Sequence, residues 1–153
     1  MPHISSARKG KIAEMKIIEY FVKRDFEVYT PFVDDKGVDI VVKNKKGRFF
    51  EIQVKTRTEE AKEPSELGLF KNIEVQNPRR NYYFVFYFQV GKIDRTYFIP
   101  SLDLLKAANE VKKIKNKEGV YKVTIKLAGL TIKQKQYENK RLEKYKEDWK
   151  VFE

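Results

Sequence analysis

The chain has 153 residues, 41% of them hydrophobic, and its 33 lysine and arginine residues against 22 aspartate and glutamate residues give a formal net charge of +11. This composition excludes global disorder, and the length fits a single domain over residues 1–153. The absence of cysteine excludes disulfides and thiolate nucleophiles, and a single histidine, His3, argues against Ser-His-Asp triads and multi-His metal sites. Without a long apolar run we expect a cytoplasmic protein with no membrane partner.

The first predicted element is a helix over residues 6–24, with Ser5 or Ser6 as its N-cap. Its apolar residues recur at helical spacing: Ala13, Ile17, Tyr20 and Phe21. Glu14 falls on the same apolar face. This carboxylate has two interpretations: it is stabilised by the helix dipole at the rim of the core, or it serves a functional site.

Three strands are predicted next, at residues 26–31, 38–42 and 50–56, and apolar residues alternate with polar ones in the third. A five-residue loop at 44–48 would set the register of the second and third strands. The expected cross-strand pairs are Val38 with Val54, Ile40 with Ile52, Val42 with Phe50 and Lys43 with Phe49.

The same register gathers polar side chains on one side of the hairpin. It sets Asp39 opposite Gln53, with Glu51 and Lys55 as diagonal neighbours. Such a face is ordinarily the solvated side of a sheet. The alternative is a functional cluster whose mixed charges suit an oxygen-ligated divalent ion.

The rest of the chain predicts a long loop followed by further strands. Residues 58–80 are rich in acids, proline and glycine and predict a long functional or flexible loop. The aromatic run 82–90 predicts a central strand covered on both faces. Later expectations are a strand at 93–99 ended by Pro100, a short helix at 102–109 capped by Ser101, a strand at 120–127, and an amphipathic helix from Gln136 that carries Leu142, Tyr145 and Trp149.

The order of these residues resembles the PD-(D/E)XK nuclease superfamily, roughly over residues 8–57 and more loosely through Asn109. In that superfamily a helix with a glutamate precedes a hairpin that supplies an aspartate, an acid, a spacer residue and a lysine. The matching segments are Gly10 to Glu14, Gly37-Val38-Asp39 and Glu51-Ile52-Gln53-Val54-Lys55-Thr56. The position that is normally acidic is Gln53. The chain therefore looks closer to a Gln-x-Lys subset found among Mrr-type restriction enzymes and small group I intron homing endonucleases. Archaeal Holliday junction resolvases are more distantly similar.

The resemblance implies an α/β, restriction-endonuclease-like mixed central sheet of about five strands flanked by helices. It also implies catalysis with Mg²⁺ (or Mn²⁺), which prefers hard oxygen ligands. The expected metal ligands are Asp39, the side-chain oxygen of Gln53, the backbone carbonyl of Val54, and Glu14 through water or a second ion. Lys55 would orient the attacking water and stabilise charge on the phosphate.

Glu51 has two interpretations: a supporting role at this site, or a cross-strand partner for Lys43 or Arg48. Because it lies two residues before Gln53 on the same face, about 6.6 Å along the strand, we expect it near the metal but outside its inner ligands.

The positive charge indicates a polyanionic partner, DNA, although a lysine- and glutamate-rich thermophile surface would also account for it. The expected DNA contacts are Lys9, Lys11, Arg57, Lys71, Arg79 and Arg80.

The sequence thus predicts a metal-dependent endodeoxyribonuclease of homing or restriction type, acting as a homodimer or higher oligomer because cutting both strands needs two active sites. The alternatives are a non-catalytic nucleic-acid-binding module on the same fold, a Holliday junction resolvase within the enzyme class, and a structural protein with a basic surface.

Overall fold

A five-stranded mixed sheet forms the centre of the structure, a computed structural model that describes residues 4–33, 35–57, 68–90, 93–130 and 136–153. The strand order is β1-β2-β3-β5-β6. The bounds of these strands are β1 Glu27–Tyr29, β2 Ile40–Lys43, β3 Phe49–Arg57, β5 Tyr82–Val90 and β6 Ile93–Pro100. This sheet confirms the expected fold class.

From Ile40 onward the β2–β3 hairpin has the predicted register, but the expected pairing of Val38 with Val54 was wrong, because the two side chains pack in different apolar clusters. Ile40 pairs with Ile52, Val42 with Phe50 and Lys43 with Phe49. The connecting loop closes through the amide of Asn44, which donates to the carbonyl of Arg48 at 3.0 Å. The side-chain oxygen of Asn44 accepts from the amides of Lys46 and Arg48, at 3.0 and 2.9 Å, so this one residue shapes the turn.

Strand β5 occupies the middle of the sheet, as the aromatic run predicted. It pairs parallel with β3, where Glu51 lies beside Tyr82 and Lys55 beside Phe86, and antiparallel with β6. Because side chains alternate across a strand, β5 sends one set of aromatic rings to each face. The sheet is therefore buried on both sides along this strand.

Helix α1 (Ser6–Val22) covers one face of the sheet. The hydroxyl of Ser5 accepts from the amide of Arg8, which confirms one of the two predicted N-caps. The apolar cluster on this face contains Ala13, Ile17, Phe21, Ile40, Val42, Phe50, Ile52, Val54, Val85, Tyr87, Phe98 and Phe152.

A second, three-stranded sheet contributes to the cluster on the other face. Its strand order is β4-β8-β7, with β4 at Leu69–Gln76, β7 at Glu110–Lys113 and β8 at Val120–Lys126. Helix α2 (Ser101–Ala107) adds Leu104 and Ala107 to the same cluster. A short antiparallel pair, β9 (Ala128–Leu130) with β10 (Gln136–Glu138), follows β8.

The predicted loop at 58–80 was wrong over its second half, where β4 forms. Phe70 and Ile73 are both buried although they lie three residues apart, because the register shifts between them and Asn72 adopts a left-handed φ of 54°. The bulge interrupts the period of two by which a strand is recognised in a sequence. Residues 58–67 lie outside the described residues.

Two further predictions need correction. Ser101 does not cap α2; its hydroxyl instead accepts from the amide of Arg79 at 3.0 Å and donates to the carbonyl of the same residue at 2.9 Å. The C-terminal amphipathic helix is instead β10 followed by two short 3₁₀ segments, Lys140–Tyr145 and Trp149–Phe152, separated where Glu147 takes a φ of 50°. Leu142 and Tyr145 still pack into the core, as predicted.

Within the described residues, no helix is both long enough and apolar enough to cross a bilayer.

We predict that Phe152→Ala lowers the free energy of unfolding by about 3–5 kcal/mol, the range for loss of a buried phenylalanine. The Phe152 ring is fully buried and lies edge-on to Phe21 at 5.2 Å and to Phe50 at 5.4 Å, so it ties the end of the chain to α1 and β3. Urea unfolding measures the loss. Phe32→Ala is the matched control, since Phe32 is fully exposed, and a similar loss in both variants would contradict the role given to Phe152.

Candidate active site

Asp39 is held against β3 by two backbone hydrogen bonds. Its amide donates to the carbonyl of Ile52 at 2.9 Å, although Ile52 is the cross-strand partner of the next residue, Ile40, so the register shifts by one residue before β2. Its carboxylate oxygen Oδ2 accepts from the amide of Val54 at 2.6 Å. The half-buried carboxylate is thus positioned beside the backbone of Val54, whereas the predicted register set Asp39 directly opposite Gln53.

Gln53 and Lys55 come into direct contact on the face of β3 opposite α1. In the amide orientation that satisfies its neighbours, Oε1 of Gln53 accepts from Nζ of Lys55 at 3.0 Å. Its nitrogen then donates to the hydroxyl of Tyr82 at 3.0 Å and to the carbonyl of Gly37 at 3.2 Å. The amide oxygen is therefore turned toward the lysine.

Tyr82 is a site residue that the sequence analysis missed. Its hydroxyl donates to the carbonyl of Gly37 at 2.9 Å while it accepts from Gln53. Burial raises the pKa of this hydroxyl well above its usual range; the Arg79 charge works against that rise, while Asp39 and Glu51 add to it. In the sequence Tyr82 is only the first residue of a buried strand, and its place at the site follows from the parallel pairing of β3 with β5.

Glu51 pairs with Arg79 rather than with the predicted Lys43 or Arg48. The carboxylate accepts from Nε of Arg79 at 2.6 Å, and Lys43 is engaged with Glu27 instead. The Arg79 guanidinium also lies over the Tyr82 ring, 4.3 Å from its centre. Glu51 therefore joins the network around Tyr82 from the strand end nearest the β4–β5 turn.

Glu14 lies on α1, which packs against the opposite face of the sheet from Gln53 and Lys55. Its side chain is 20% exposed and forms an ion pair with Lys11 on the same helix. The structure therefore places Glu14 at the rim of the core, and Lys11 forms an ion pair with it on the same helix.

Three of the predicted DNA-contacting residues share one groove. Lys9, Arg57 and Lys71 line a cavity of about 360 Å³ together with Ser6, Thr56, Leu69, Phe70 and Ile73. The Arg57 guanidinium donates to the carbonyl of Leu69 at 2.5 Å. Arg79 and Arg80 lie at the other end of β4, where Arg79 pairs with Glu51 and Arg80 is exposed.

The donor atoms at this site fit a magnesium or manganese ion held with few protein ligands. Asp39 offers a carboxylate and Gln53 an amide oxygen, both hard ligands of the kind that Mg²⁺ accepts while it keeps several waters. Within the described residues, no group of three or more acidic or histidine side chains gathers around a common point. An ion here would therefore depend on backbone oxygen and water as well as on Asp39.

A family model described as PD-(D/E)XK endonuclease matches residues 4–152 of the chain. The protein belongs to the PD-(D/E)XK endonuclease family. Membership confirms the resemblance stated from the sequence, identifies the protein as a nuclease and implies DNA as its substrate. Nucleases of this family generally use divalent metals.

Among solved structures, a bacterial homing endonuclease, I-Ssp6803I, is similar to this PD-(D/E)XK protein. The two chains are 22% identical with a TM-score of 0.60, and the match covers 96% of this chain and 91% of that chain. At this identity the likeness shows the shared fold. A search of curated proteins finds no match.

We predict that a double-mutant cycle on Glu51→Ala and Arg79→Ala gives a coupling of about 0.5–1 kcal/mol in the free energy of unfolding. The side chains of this pair are 39% and 37% exposed, so solvent screens much of their attraction. Chemical denaturation of the four proteins measures the coupling. The control is the pair Asp25 and Lys45, which is 80% and 75% exposed and should show almost none; equal couplings would contradict this prediction.

Proposed function

We propose that this chain is a metal-dependent endodeoxyribonuclease of homing or restriction type, and that residues 1–153 act as one nuclease domain. The observation that carries the proposal is the contact of Lys55 Nζ with the Gln53 amide at 3.0 Å, on the hairpin that also holds Asp39 against Val54. A carboxylate from the residue before β2 is thereby brought to the part of β3 that carries an amide oxygen and an ammonium group. The family match over residues 4–152 supports both parts of the proposal.

Asp39, Gln53 and the backbone carbonyl of Val54 are the proposed holders of Mg²⁺ or Mn²⁺. Glu14 would contribute through water or a second ion only by giving up its ion pair with Lys11 and reaching the site from the other face of the sheet. When bound, the ion would supply an activated water and neutralise charge on the phosphate. Asp39 brings the negative charge, and its bond to the Val54 amide fixes the direction of the carboxylate. Gln53 brings an oxygen without charge, so the site has one negative charge fewer than a site with an acid at this position.

Lys55 is the proposed group that orients the attacking water and stabilises the negative charge that grows on the phosphate oxygens. An ammonium group is a compact point charge with three donors. Its contact with Gln53 uses one donor and directs the other two away from the amide oxygen. The lysine is thus restrained while it still has donors for water and phosphate.

The groove lined by Lys9, Arg57 and Lys71 is the proposed binding surface for the DNA backbone. It starts at Thr56, the residue directly after Lys55 on β3. Its lysine and arginine side chains would contact the phosphate oxygens. Contacts of this kind give affinity and register but do not read base sequence.

Three further residues remain proposed DNA contacts, and they differ in the ion pairs that they already form: Lys11, Arg79 and Arg80. Lys11 would have to exchange its ion pair with Glu14 for a phosphate, and Arg79 its pair with Glu51. Arg80 is exposed at the turn before β5.

We further propose a homodimer or higher oligomer, because cleavage of both strands of a duplex needs two active sites and each chain supplies one.

A second candidate is a non-catalytic nucleic-acid-binding module on this fold. The observation that favours it is Gln53 itself, which removes a negative charge from the position where an acid is common. Binding would then persist through the basic groove without cleavage.

We predict that the wild-type protein nicks supercoiled plasmid only with Mg²⁺ or Mn²⁺ present, and that Asp39→Ala and Lys55→Ala lower the rate by about 10²–10³-fold. Agarose gel time courses measure the rate, and circular dichroism confirms folding. Lys45→Ala is the matched control, because Lys45 lies in the turn at the far end of the same hairpin. Folded proteins that are all inert with both metals would favour the binding module.

Four substrates offered side by side with Mg²⁺ distinguish the enzyme types: linear duplex, supercoiled plasmid, single strand and a four-way junction. We expect site-specific cleavage of duplex DNA. Preference for the junction would instead identify a junction-resolving enzyme.

We predict that Lys9→Ala combined with Lys71→Ala weakens DNA binding and reduces the slope of log affinity against log salt concentration by about 0.9 for each phosphate that the protein no longer neutralises. Fluorescence anisotropy in EDTA, across a salt series, measures both quantities. Lys113→Ala, on exposed strand β7, is the control and should leave the slope unchanged. An unchanged slope in the double variant would place the DNA elsewhere.

A further inference from the structure

The orientation of the Gln53 amide is determined by the chemistry of its three neighbours. The Lys55 ammonium can only donate and the Gly37 carbonyl can only accept. The amide must therefore present its oxygen to Lys55, at 3.0 Å, and its nitrogen to Gly37, at 3.2 Å. The Tyr82 hydroxyl completes the set, because it accepts from the amide nitrogen at 3.0 Å and donates to Gly37 at 2.9 Å.

Tyr82 is itself rigidly held. Its side chain is fully buried, with the Phe84 ring 5.3 Å away on one side and the Arg79 guanidinium 4.3 Å from its centre. Arg79 is in turn restrained by Glu51 and by the backbone carbonyl of Asn77, to which it donates at 2.9 Å. The hydroxyl therefore has little freedom to leave its position between Gly37 and Gln53.

A glycine is required at position 37 for backbone reasons. Gly37 has a φ of +66°, which a side chain would strain, and an added Cβ would lie 3.4 Å from the Gln53 amide and 3.5 Å from the Tyr82 hydroxyl. The loop that leads to Asp39 is thus packed directly against the Gln53 side chain. A carboxylate in place of the amide would turn an oxygen toward the Gly37 carbonyl, so this pocket selects an amide.

We propose that Tyr82 is a positioning residue that, together with the Gly37 carbonyl, locks the Gln53 amide with its oxygen toward Lys55. The inference rests on the proposed nuclease function for its effect on catalysis, but the lock itself exists in the protein without metal or DNA. It accounts for a glutamine at this position through local hydrogen bonding, with no need for a decayed site.

The lock is tested first in the metal-free protein by NMR. The side-chain amide signals of Gln53 are identified by their absence in Gln53→Met. In Tyr82→Phe, which keeps the ring and removes the hydroxyl, these signals should shift and exchange with water about fivefold faster or more, the effect of removing one hydrogen bond. Tyr97→Phe is the matched control, because the Tyr97 hydroxyl is buried without a partner among the described residues, and it should leave the Gln53 signals unchanged.

Catalysis is tested second, with the same two variants. We expect Tyr82→Phe to lower kcat about 5- to 10-fold while KM and metal-free DNA affinity stay unchanged, because the binding surface is intact. Tyr97→Phe should match the wild type. If the wild type cleaves DNA and Tyr82→Phe cleaves equally fast with unchanged Gln53 signals, the inference is overturned.

Failure of the proposed nuclease function and failure of the inference about Tyr82 can be distinguished. A wild-type protein that cleaves nothing would refute the proposed function, while the amide signals would still decide whether the lock exists. Should Tyr82→Phe fail to fold, the wild type alone decides: Gln53 amide protons that exchange as fast as those of exposed Gln89 overturn the lock.

Discussion

The antiparallel pairing of β2 with β3 is the constraint on which the rest of this protein depends. One register, with Ile40 opposite Ile52, sends alternate residues of β3 to opposite faces. The apolar set packs on α1, and the polar set, Glu51, Gln53 and Lys55, meets the aromatic row that begins at Tyr82. A slip by one residue would exchange the two sets, so the core and the candidate site are specified by the same hydrogen bonds.

The polar side chains of this hairpin are stabilised as a network and not as isolated surface groups. Asp39 is held by the Val54 amide, Gln53 by Tyr82 and Gly37, and Glu51 by Arg79. Each buried donor or acceptor thereby finds a partner, which avoids the cost of an unsatisfied polar group. Among the described residues, the hydroxyls of Thr56 and Tyr97 are the buried side-chain groups without such a partner.

The two faces of the sheet are closed by segments remote in sequence. Phe152 packs on the α1 face, while Leu142 and Tyr145 pack on the face shared with the second sheet. The C-terminal stretch therefore contributes to both clusters although it forms no long helix. A core shared in this way couples the hairpin to the end of the chain, so loss of either would expose large aromatic surfaces to water.

Local patterns in the sequence were sufficient for α1, the hairpin register from Ile40 onward, the central strand β5 and the segment that carries Asp39, Gln53 and Lys55. Each rests on periodicity or on turn chemistry within a few residues, such as the Asn44 turn. The two elements predicted wrongly have a common cause, which is a residue with a left-handed φ that interrupts the periodic pattern. The bulge at Asn72 hid β4, and the left-handed Glu147 divided the expected C-terminal helix.

Only tertiary structure decided the contacts made between distant segments. Ser101 binds the backbone of Arg79 instead of capping its own helix, and Glu51 pairs with Arg79 instead of a hairpin neighbour. Tyr82 enters the site because β5 lies parallel to β3, a pairing that depends on the crossover of the intervening chain. The sequence alone therefore determined which residues carry charged and polar groups suited to metal binding and hydrolysis. Long-range packing determined which of these residues meet, because a side chain's partners across a sheet are set by topology and not by its neighbours along the chain.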